Sequence, residues 1–162
     1  MSIAKKPITE EIKTKIEQYI KNRQDISSFL HDYNLQGLNL SYSIIENVNC
    51  IGENLSNTNF SNSVIGIDGN TTVFINCNLK GSNFKNTRFE GKTWMKHCDL
   101  RNCNFTGAFL PYVEYQYSDL RGISLCETVF RLGVKCGYKS RFDPDIFTNL
   151  CKYLDMDTSK EK

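Results

Sequence analysis

Large apolar residues recur every five positions through the middle of the chain, from Leu35 to Phe130. On an α-helix five residues turn about 500°, so successive members of this series point in different directions. On a continuous strand, residues five apart point to opposite faces. Neither element can bury the series. A chain that turns a corner once per five residues can bury it, because four corners make a square coil that stacks on the next coil.

The period therefore predicts that residues about twenty apart lie above one another. The register requires four extra residues within the loop at 66–73 and one near Lys92–Met95, where Met95 rather than Trp94 is taken as the buried centre. With this register, residues of the same type occupy equivalent positions in successive coils. The four predicted stacks are Leu35, Leu55, Leu79, Leu100 and Leu120; Leu40, Phe60, Phe84, Phe105 and Leu125; Ile45, Ile65, Phe89, Leu110 and Phe130; and Cys50, Phe74, Met95 and Tyr115.

The residues around each centre also repeat. Small residues stand two positions before most centres, and 15 of the 17 asparagines lie between Asn34 and Asn104. The segments NCNLKGSNFKNTRFEG and CDLRNCNFTGAFL resemble the pentapeptide-repeat family, and the resemblance extends over about residues 33–130, in 19 copies. It implies an all-β solenoid, a right-handed quadrilateral β-helix, with about five coils in this chain.

Both ends of such a rod need a cover, because each coil buries its apolar residues only against its neighbours. Residues 1–33 are predicted to form an N-terminal helical cap, with isoleucines at helical spacing, and residues 34–131 the β-helix. Residues 132–162 are predicted to form a C-terminal capping or dimerisation helix and tail, with the helix starting at Asp143-Pro144. Related proteins often dimerise through that end, so the resemblance implies a homodimer. The candidate dimer residues are Ile146, Phe147, Leu150 and Leu154.

Composition narrows the setting of the chain. Its 162 residues carry a net charge of +2, which gives no overall argument for nucleic acid as a partner. Apolar runs are too short to span a membrane, and the first residues do not form a signal peptide, so a cytoplasmic location is predicted. Seven cysteines fit reduced thiols in that compartment, and Cys77, Cys98 and Cys103 are interpreted as compact core residues rather than as metal ligands or disulfides.

Catalytic chemistry finds little support. For the two histidines, His31 and His97, the sequence spacing predicts no nucleophile or carboxylate partner. No phosphate-binding glycine motif is present. We therefore expect neither an enzyme nor a bound metal or cofactor.

Two outward columns are candidates for binding. The residue just before each third-side centre is apolar in four coils of five, although this position is expected to be exposed. One interpretation is a docking surface for a partner, a twin subunit or a terminal segment, and the other is a set of unrelated exposed apolar side chains. On the first side, cations in successive coils form either a solvated face or an anion surface. The partner surface comprises Ile44, Val64, Trp94, Phe109, Tyr112 and Val129, and the anion surface Lys80, Arg101 and Arg121.

These observations predict a non-enzymatic protein-interaction scaffold whose partner stays unidentified. The resemblance implies an alternative, because some family members imitate DNA and bind DNA gyrase or topoisomerase IV, protecting against quinolones. A mimic about 20 Å long needs on the order of a dozen net negative charges. Residues 34–130 hold eight acidic and seven basic side chains, which makes a weak mimic, although 34–79 contains three acids and no base. A weak anion or nucleic-acid binder is a second alternative.

Overall fold

The structure is a computed structural model that describes residues 5–131, 133–136 and 139–150. The third and fourth sides of the predicted square are each a five-stranded parallel sheet. The third side holds β1 (Ile44–Ile45), β3 (Val64–Ile65), β5 (Arg88–Phe89), β7 (Phe109–Leu110) and β9 (Val129–Phe130). The fourth holds β2 (Asn49–Ile51), β4 (Thr71–Ile75), β6 (Lys92–Lys96), β8 (Tyr112–Gln116) and β10 (Val134–Cys136).

The first and second sides pair through single residues in each coil. Parallel bridges link Asn54, Asn78, Asp99 and Asp119 on the first side, and Asn39, Asn59, Asn83, Asn104 and Ser124 on the second. The result is a β-solenoid, as predicted. Five layers amount to about four full turns, slightly fewer than the five coils expected.

The predicted register of the buried stacks is confirmed. On the fourth side Cys50 pairs with Phe74, Phe74 with Met95, and Met95 with Tyr115. Met95 is completely buried, while Trp94 points away from the core and is partly exposed. On the second side the ring of Phe84 stacks between those of Phe60 and Phe105, with centroid distances of 5.1 and 4.7 Å. Both insertions are therefore absorbed between the third and fourth sides, without disturbing the core.

The small residues inside the corners also make hydrogen bonds along the rod. The hydroxyls of Ser82 and Thr87 each donate to the carbonyl of a centre in the coil below, at 2.7 Å. The Cys103 thiol contacts the Leu79 carbonyl in the same way, at 2.9 Å. Burial raises the pKa of Cys103 to about 12, so this thiol stays protonated and acts as a core residue.

Asparagine is abundant because it serves two positions of each turn. Asn57, Asn62, Asn86 and Asn102 adopt positive φ, which asparagine tolerates better than most residues with a side chain. Asparagines just before the centres accept a hydrogen bond from the backbone two residues later, as Asn59 does from Ser61 at 3.1 Å.

Helices flank the coils at both ends. α1 (Glu10–Lys21) buries Ile16, and α2 (Ser27–Asp32) buries Phe29 and Leu30. At the other end the ladder does not stop at residue 131, because β10 pairs with β8 and Arg141 bridges to Asp119. The helix α3 (Pro144–Leu150) follows, and buries Leu150.

Candidate functional site

A groove of about 730 Å³ lies at the corner where the third side meets the fourth, in the size range of ligand-binding clefts. We call it the corner groove. Its lining combines three cations, two acids, two aromatic rings and a glycine-rich turn. The lining residues are Asp68, Gly69, Asn70, Thr71, Arg88, Glu90, Gly91, Lys92, Phe109, Pro111, Tyr112 and Arg131.

One wall of the corner groove is formed by the four-residue insertion. The predicted loop at 66–73 is shorter than expected, since Thr71 already belongs to β4, and only the exposed turn 67–70 projects. The base of the turn rests on Gly91, where a Cβ atom would lie 2.5 Å from the Asn70 carbonyl oxygen. Because the coil that contains Pro111 has no insertion, the turn stands out from the corner and a recess remains beside it.

The predicted apolar column of the third side lies beside this recess. Ile44, Val64, Arg88, Phe109 and Val129 pair in succession across the sheet. Ile44, Val64 and Phe109 are half-buried, while Val129 is 51% exposed. The Arg88 guanidinium lies 5.1 Å from the centre of the Phe109 ring, which makes the column continuous across its one charged member.

Arg88 is also paired with a carboxylate. Its Nε lies 2.5 Å from Oε1 of Glu90, and this hydrogen bond raises the pKa of Arg88 above its ordinary value. The charge of Arg88 is therefore already matched within the groove, and its aliphatic and planar surfaces remain for packing.

Lys92 occupies a different environment. Its ammonium lies 5.0 Å from the centre of the Tyr112 ring and 5.3 Å from that of Trp94. Within the part of the chain that the structure describes, neither Lys92 nor the exposed Arg131 forms an ion pair with a carboxylate. The groove thus contains two cations without a counterion from the described chain.

Trp94 and Tyr112 both lie on the fourth side rather than in the third-side column. Tyr112 lines the groove, whereas Trp94 lies next to it and is covered by two lysines. Lys96 approaches the Trp94 ring to 4.2 Å and pairs with the buried carboxylate of Glu114 at 3.5 Å. Trp94 therefore contributes to the corner groove indirectly, through the contact of its ring with the Lys92 ammonium.

The candidate anion surface of the first side is largely self-neutralised. Arg101 and Arg121 each bind the aspartate two residues before them, with Nη2–Oδ2 distances of 2.5 and 2.6 Å. Hydrogen bonds from Arg101 lower the pKa of Asp99, and hydrogen bonds from Arg121 lower that of Asp119. Lys80 remains exposed beside this ladder.

The candidate dimer residues fall in different environments. Leu150 is only 1% exposed, because it is packed against its own chain, and Ile146 is partly exposed. The Phe147 side chain and Leu154 lie outside the described residues. An apolar groove of about 550 Å³ runs between α3 and the last coil, lined by Leu125, Phe130, Ile146 and Leu150 among others.

Of the residues that line the groove, only Phe109 and Tyr112 belong to the predicted partner surface. The three cations Arg88, Lys92 and Arg131, and the carboxylate of Glu90, were not predicted as site residues. The available signal was the pair of insertions on the same corner in neighbouring coils, since unequal corners must leave a ledge. The two insertions alone do not show which cationic side chains line the recess beside the projecting turn.

No residues of the described ranges assemble into a metal site of three or more ligands. His97 stacks flat on Tyr117 at the same corner of the next coil, with ring centroids 4.6 Å apart. Among the described residues, no helix has the length and apolar character needed to cross a bilayer.

Comparison with known proteins agrees with the repeat geometry. Family models described as pentapeptide repeats match residues 54–91 (8 copies) and 74–110 (9 copies). No curated protein sequence matches the chain.

Solved structures with similarity include a pentapeptide repeat protein from the Arabidopsis thaliana thylakoid lumen (18% identity, 77% of this chain, 81% of that one, TM-score 0.37). They also include HetL, a pentapeptide repeat protein involved in heterocyst differentiation regulation from Nostoc sp. strain PCC 7120 (12%, 70%, 43%, 0.34). QnrB1, a plasmid-mediated fluoroquinolone resistance protein, is a third (15%, 73%, 88%, 0.24). With its stacked five-residue corners and two matching repeat models, the chain is a pentapeptide-repeat protein.

Proposed function

We propose that this protein is a non-enzymatic scaffold that binds a protein partner through the corner groove and the adjoining third-side column. The observation that carries the proposal is the partly exposed apolar surface from Phe109 to Val129, continuous with a recess in which Lys92 and Arg131 form no ion pair with any residue that the structure describes. Apolar surface flanked by charge is the usual composition of a protein-binding patch.

The construction of the rod favours recognition by a rigid surface. The third-side strands are held in register by hydrogen bonds between coils, for example Val129 N–H to the Ala108 carbonyl at 2.8 Å and Phe109 N–H to the Thr87 carbonyl at 2.9 Å. Side chains on such a ladder keep their spacing, so a partner loses less free energy in ordering them.

The proposal is tested by affinity capture from host lysate with the native protein and a Phe109→Glu, Val129→Glu variant. We expect specific partners to be lost from the variant. A matched control is Tyr42→Glu, Ile51→Glu, which removes two apolar side chains of 59% and 56% exposure elsewhere and adds the same charge. Identical partner sets for all three proteins would refute the proposal.

Binding to DNA gyrase or topoisomerase IV is the second candidate, and its support is the acidic stretch at 34–79. The charges weaken it. Of the three acids there, Glu53 is 2.9 Å from Lys5, and farther along the rod Asp99 and Asp119 are paired with arginines. Inhibition of gyrase supercoiling by micromolar native protein would favour this candidate, and no inhibition would exclude it.

Weak anion or nucleic-acid binding through Lys80, Arg101 and Arg121 is the third candidate. Arg101 and Arg121 would have to leave their aspartates, so we expect little binding of DNA or RNA even at low salt. Filter binding in 50 mM salt with random-sequence oligonucleotides measures it.

We also propose a homodimer in a reducing cytoplasm. The buried, protonated Cys103 thiol fits that compartment, and the partly exposed Ile146 is the apolar side chain of α3 that a second copy could contact. Sedimentation equilibrium of native protein and Ile146→Glu tests the dimer, and a native protein that sediments as a monomer contradicts it. A fluorescent-protein fusion imaged in the host tests the location.

A further inference from the structure

The corner groove has a composition that selects among partner chemistries, and this inference rests on the proposed function. We propose that the groove binds an extended acidic segment of the partner, in which aspartate or glutamate side chains flank a large apolar residue.

The charge of the groove calls for a small number of carboxylates. Glu90 already neutralises Arg88, at 2.5 Å, whereas Lys92 and Arg131 form no ion pair among residues 5–131, 133–136 and 139–150. Lys92 is in addition held between the rings of Tyr112 and Trp94, so its ammonium is positioned before any ligand arrives. Each of these two cations can accept a carboxylate from a ligand.

The spacing of the two cations fits an extended chain. Lys92 pairs with Tyr112 in the next layer. Leu110 lies in the same layer as Tyr112 and pairs with Phe130 in the layer after it, and Arg131 directly follows Phe130. Lys92 and Arg131 are thus two layers apart, about 10 Å along the rod. On an extended peptide only side chains two or four positions apart point to the same face, and at about 3.3 Å per residue they lie about 7 or 13 Å apart. Carboxylates four positions apart, with an apolar residue midway between them on the same face, can therefore reach both cations.

The surface between the cations is apolar. Phe109, Pro111 and Tyr112 line the groove in the layer that separates Lys92 from Arg131. A large apolar side chain between the two acidic residues would cover these groups, and its burial would contribute to affinity in proportion to the apolar area removed from water.

A nucleic acid fits this lining less well. Each nucleotide carries a phosphate, and Asp68 and Glu90 share the groove with the cations, so a run of phosphates would face carboxylates as well as cations. A peptide can present carboxylates at the two cations alone.

The experiment selects peptides from a displayed random dodecapeptide library with the native protein, after removal of those that bind the Phe109→Glu, Val129→Glu variant. We expect the retained peptides to carry Asp or Glu four positions apart, with a large apolar residue midway between them. Replacing these acids by Asn or Gln, and separately the variant Lys92→Glu, Arg131→Glu, should each weaken binding about tenfold.

The matched control is Lys15→Glu, Lys85→Glu, which changes the net charge equally at two exposed lysines, on α1 and on the second side, and should leave affinity unchanged. Lys92→Glu, Arg131→Glu should in turn bind peptides whose acids are replaced by lysine, a gain that misfolding cannot produce.

Neutral or basic selected peptides, or equal affinity for the Lys92→Glu, Arg131→Glu variant, overturn the acidic-segment inference but leave a docking groove. Displacement of the peptides by a dodecamer of thymidine in 50 mM salt overturns it in favour of nucleic acid. No peptide that distinguishes the native protein from Phe109→Glu, Val129→Glu contradicts the proposed function itself.

Discussion

The second side of the rod and the corner groove share one backbone ladder but leave different groups for a partner. On the second side the Asn59 amide donates to Asn39 at 2.8 Å and accepts from Asn83 at 3.1 Å, so the outward polar groups satisfy one another. At the corner, insertions of different length interrupt that continuity, and Lys92 and Arg131 are left without carboxylates from the described chain. In this protein, regular repeats stabilise the rod and departures from the repeat create the candidate binding surface.

The largest expected difference between the two regions concerns a phenylalanine from each. Phe84→Ala should lower the free energy of unfolding by about 3–5 kcal/mol, because the ring is fully buried between Phe60 and Phe105. Phe109→Ala should cost only about 1 kcal/mol, since its ring is half-buried at the groove. Urea denaturation followed by circular dichroism measures both. Equal losses would mean that the groove belongs to the core.

A glycine substitution tests how the turn at the groove is held. Gly91→Ala should cost about 2 kcal/mol, because Gly91 has φ +73° and its new Cβ would meet the Asn70 carbonyl. Gly69→Ala is the control: its φ of +83° brings the same backbone strain, of about 1 kcal/mol, but nothing lies within 4 Å. Urea midpoints and hydrogen exchange at 67–70 compare the two. If both variants lose the same stability, the turn does not rest on Gly91.

The amide ladder of the second side should give a smaller effect. Asn59→Ala removes bonds to Asn39, Asn83 and the Ser61 backbone, and we expect a loss of about 1–2 kcal/mol. Lys85→Ala, an exposed neighbour outside the ladder, should change stability by less than about 0.5 kcal/mol. Thermal unfolding of the two variants provides the measurement.

The smallest effect concerns the pH dependence of the first side. Bonds from Arg121 hold the pKa of Asp119 below its ordinary value, so the folded state is the one that favours the ionised carboxyl. This stabilisation is complete above the unfolded-state pKa of about 3.9 and is lost as the pH falls through the lower folded-state value. The urea midpoint of the native protein should therefore fall more steeply below about pH 4 than that of Asp119→Asn. Parallel curves would show that the pair contributes nothing measurable.

The fold could be predicted well from sequence because its signal is periodic. A five-residue step has a single geometric solution in which every copy faces inward, and the choice of Met95 over Trp94 followed from keeping a small residue, Thr93, two positions earlier. The number of turns was slightly overestimated, because centres were counted rather than intervals between layers.

The candidate site could be predicted only in part. The third-side column follows from the same register, so its members were found together. The groove depends on how the extra residues fold and on where long side chains turn, as with Lys92, which lies against the ring of Trp94 on its own strand and the ring of Tyr112 in the next coil. Such contacts have no period. Likewise, the helical spacing of Leu150 marks an apolar face but does not tell whether the same chain or a second copy covers it.

The ladder also determines how the protein should respond to mechanical tension. Hydrogen bonds between coils run along the stacking direction, so a force that separates the two ends is carried by the interfaces between coils in series, and the weakest interface opens first. Coils should peel off successively, each releasing about 70 Å of contour length for its twenty or so residues. Single-molecule stretching would then display a series of low, evenly spaced force peaks, as expected for strands that unzip one after another rather than for strands that are sheared apart together.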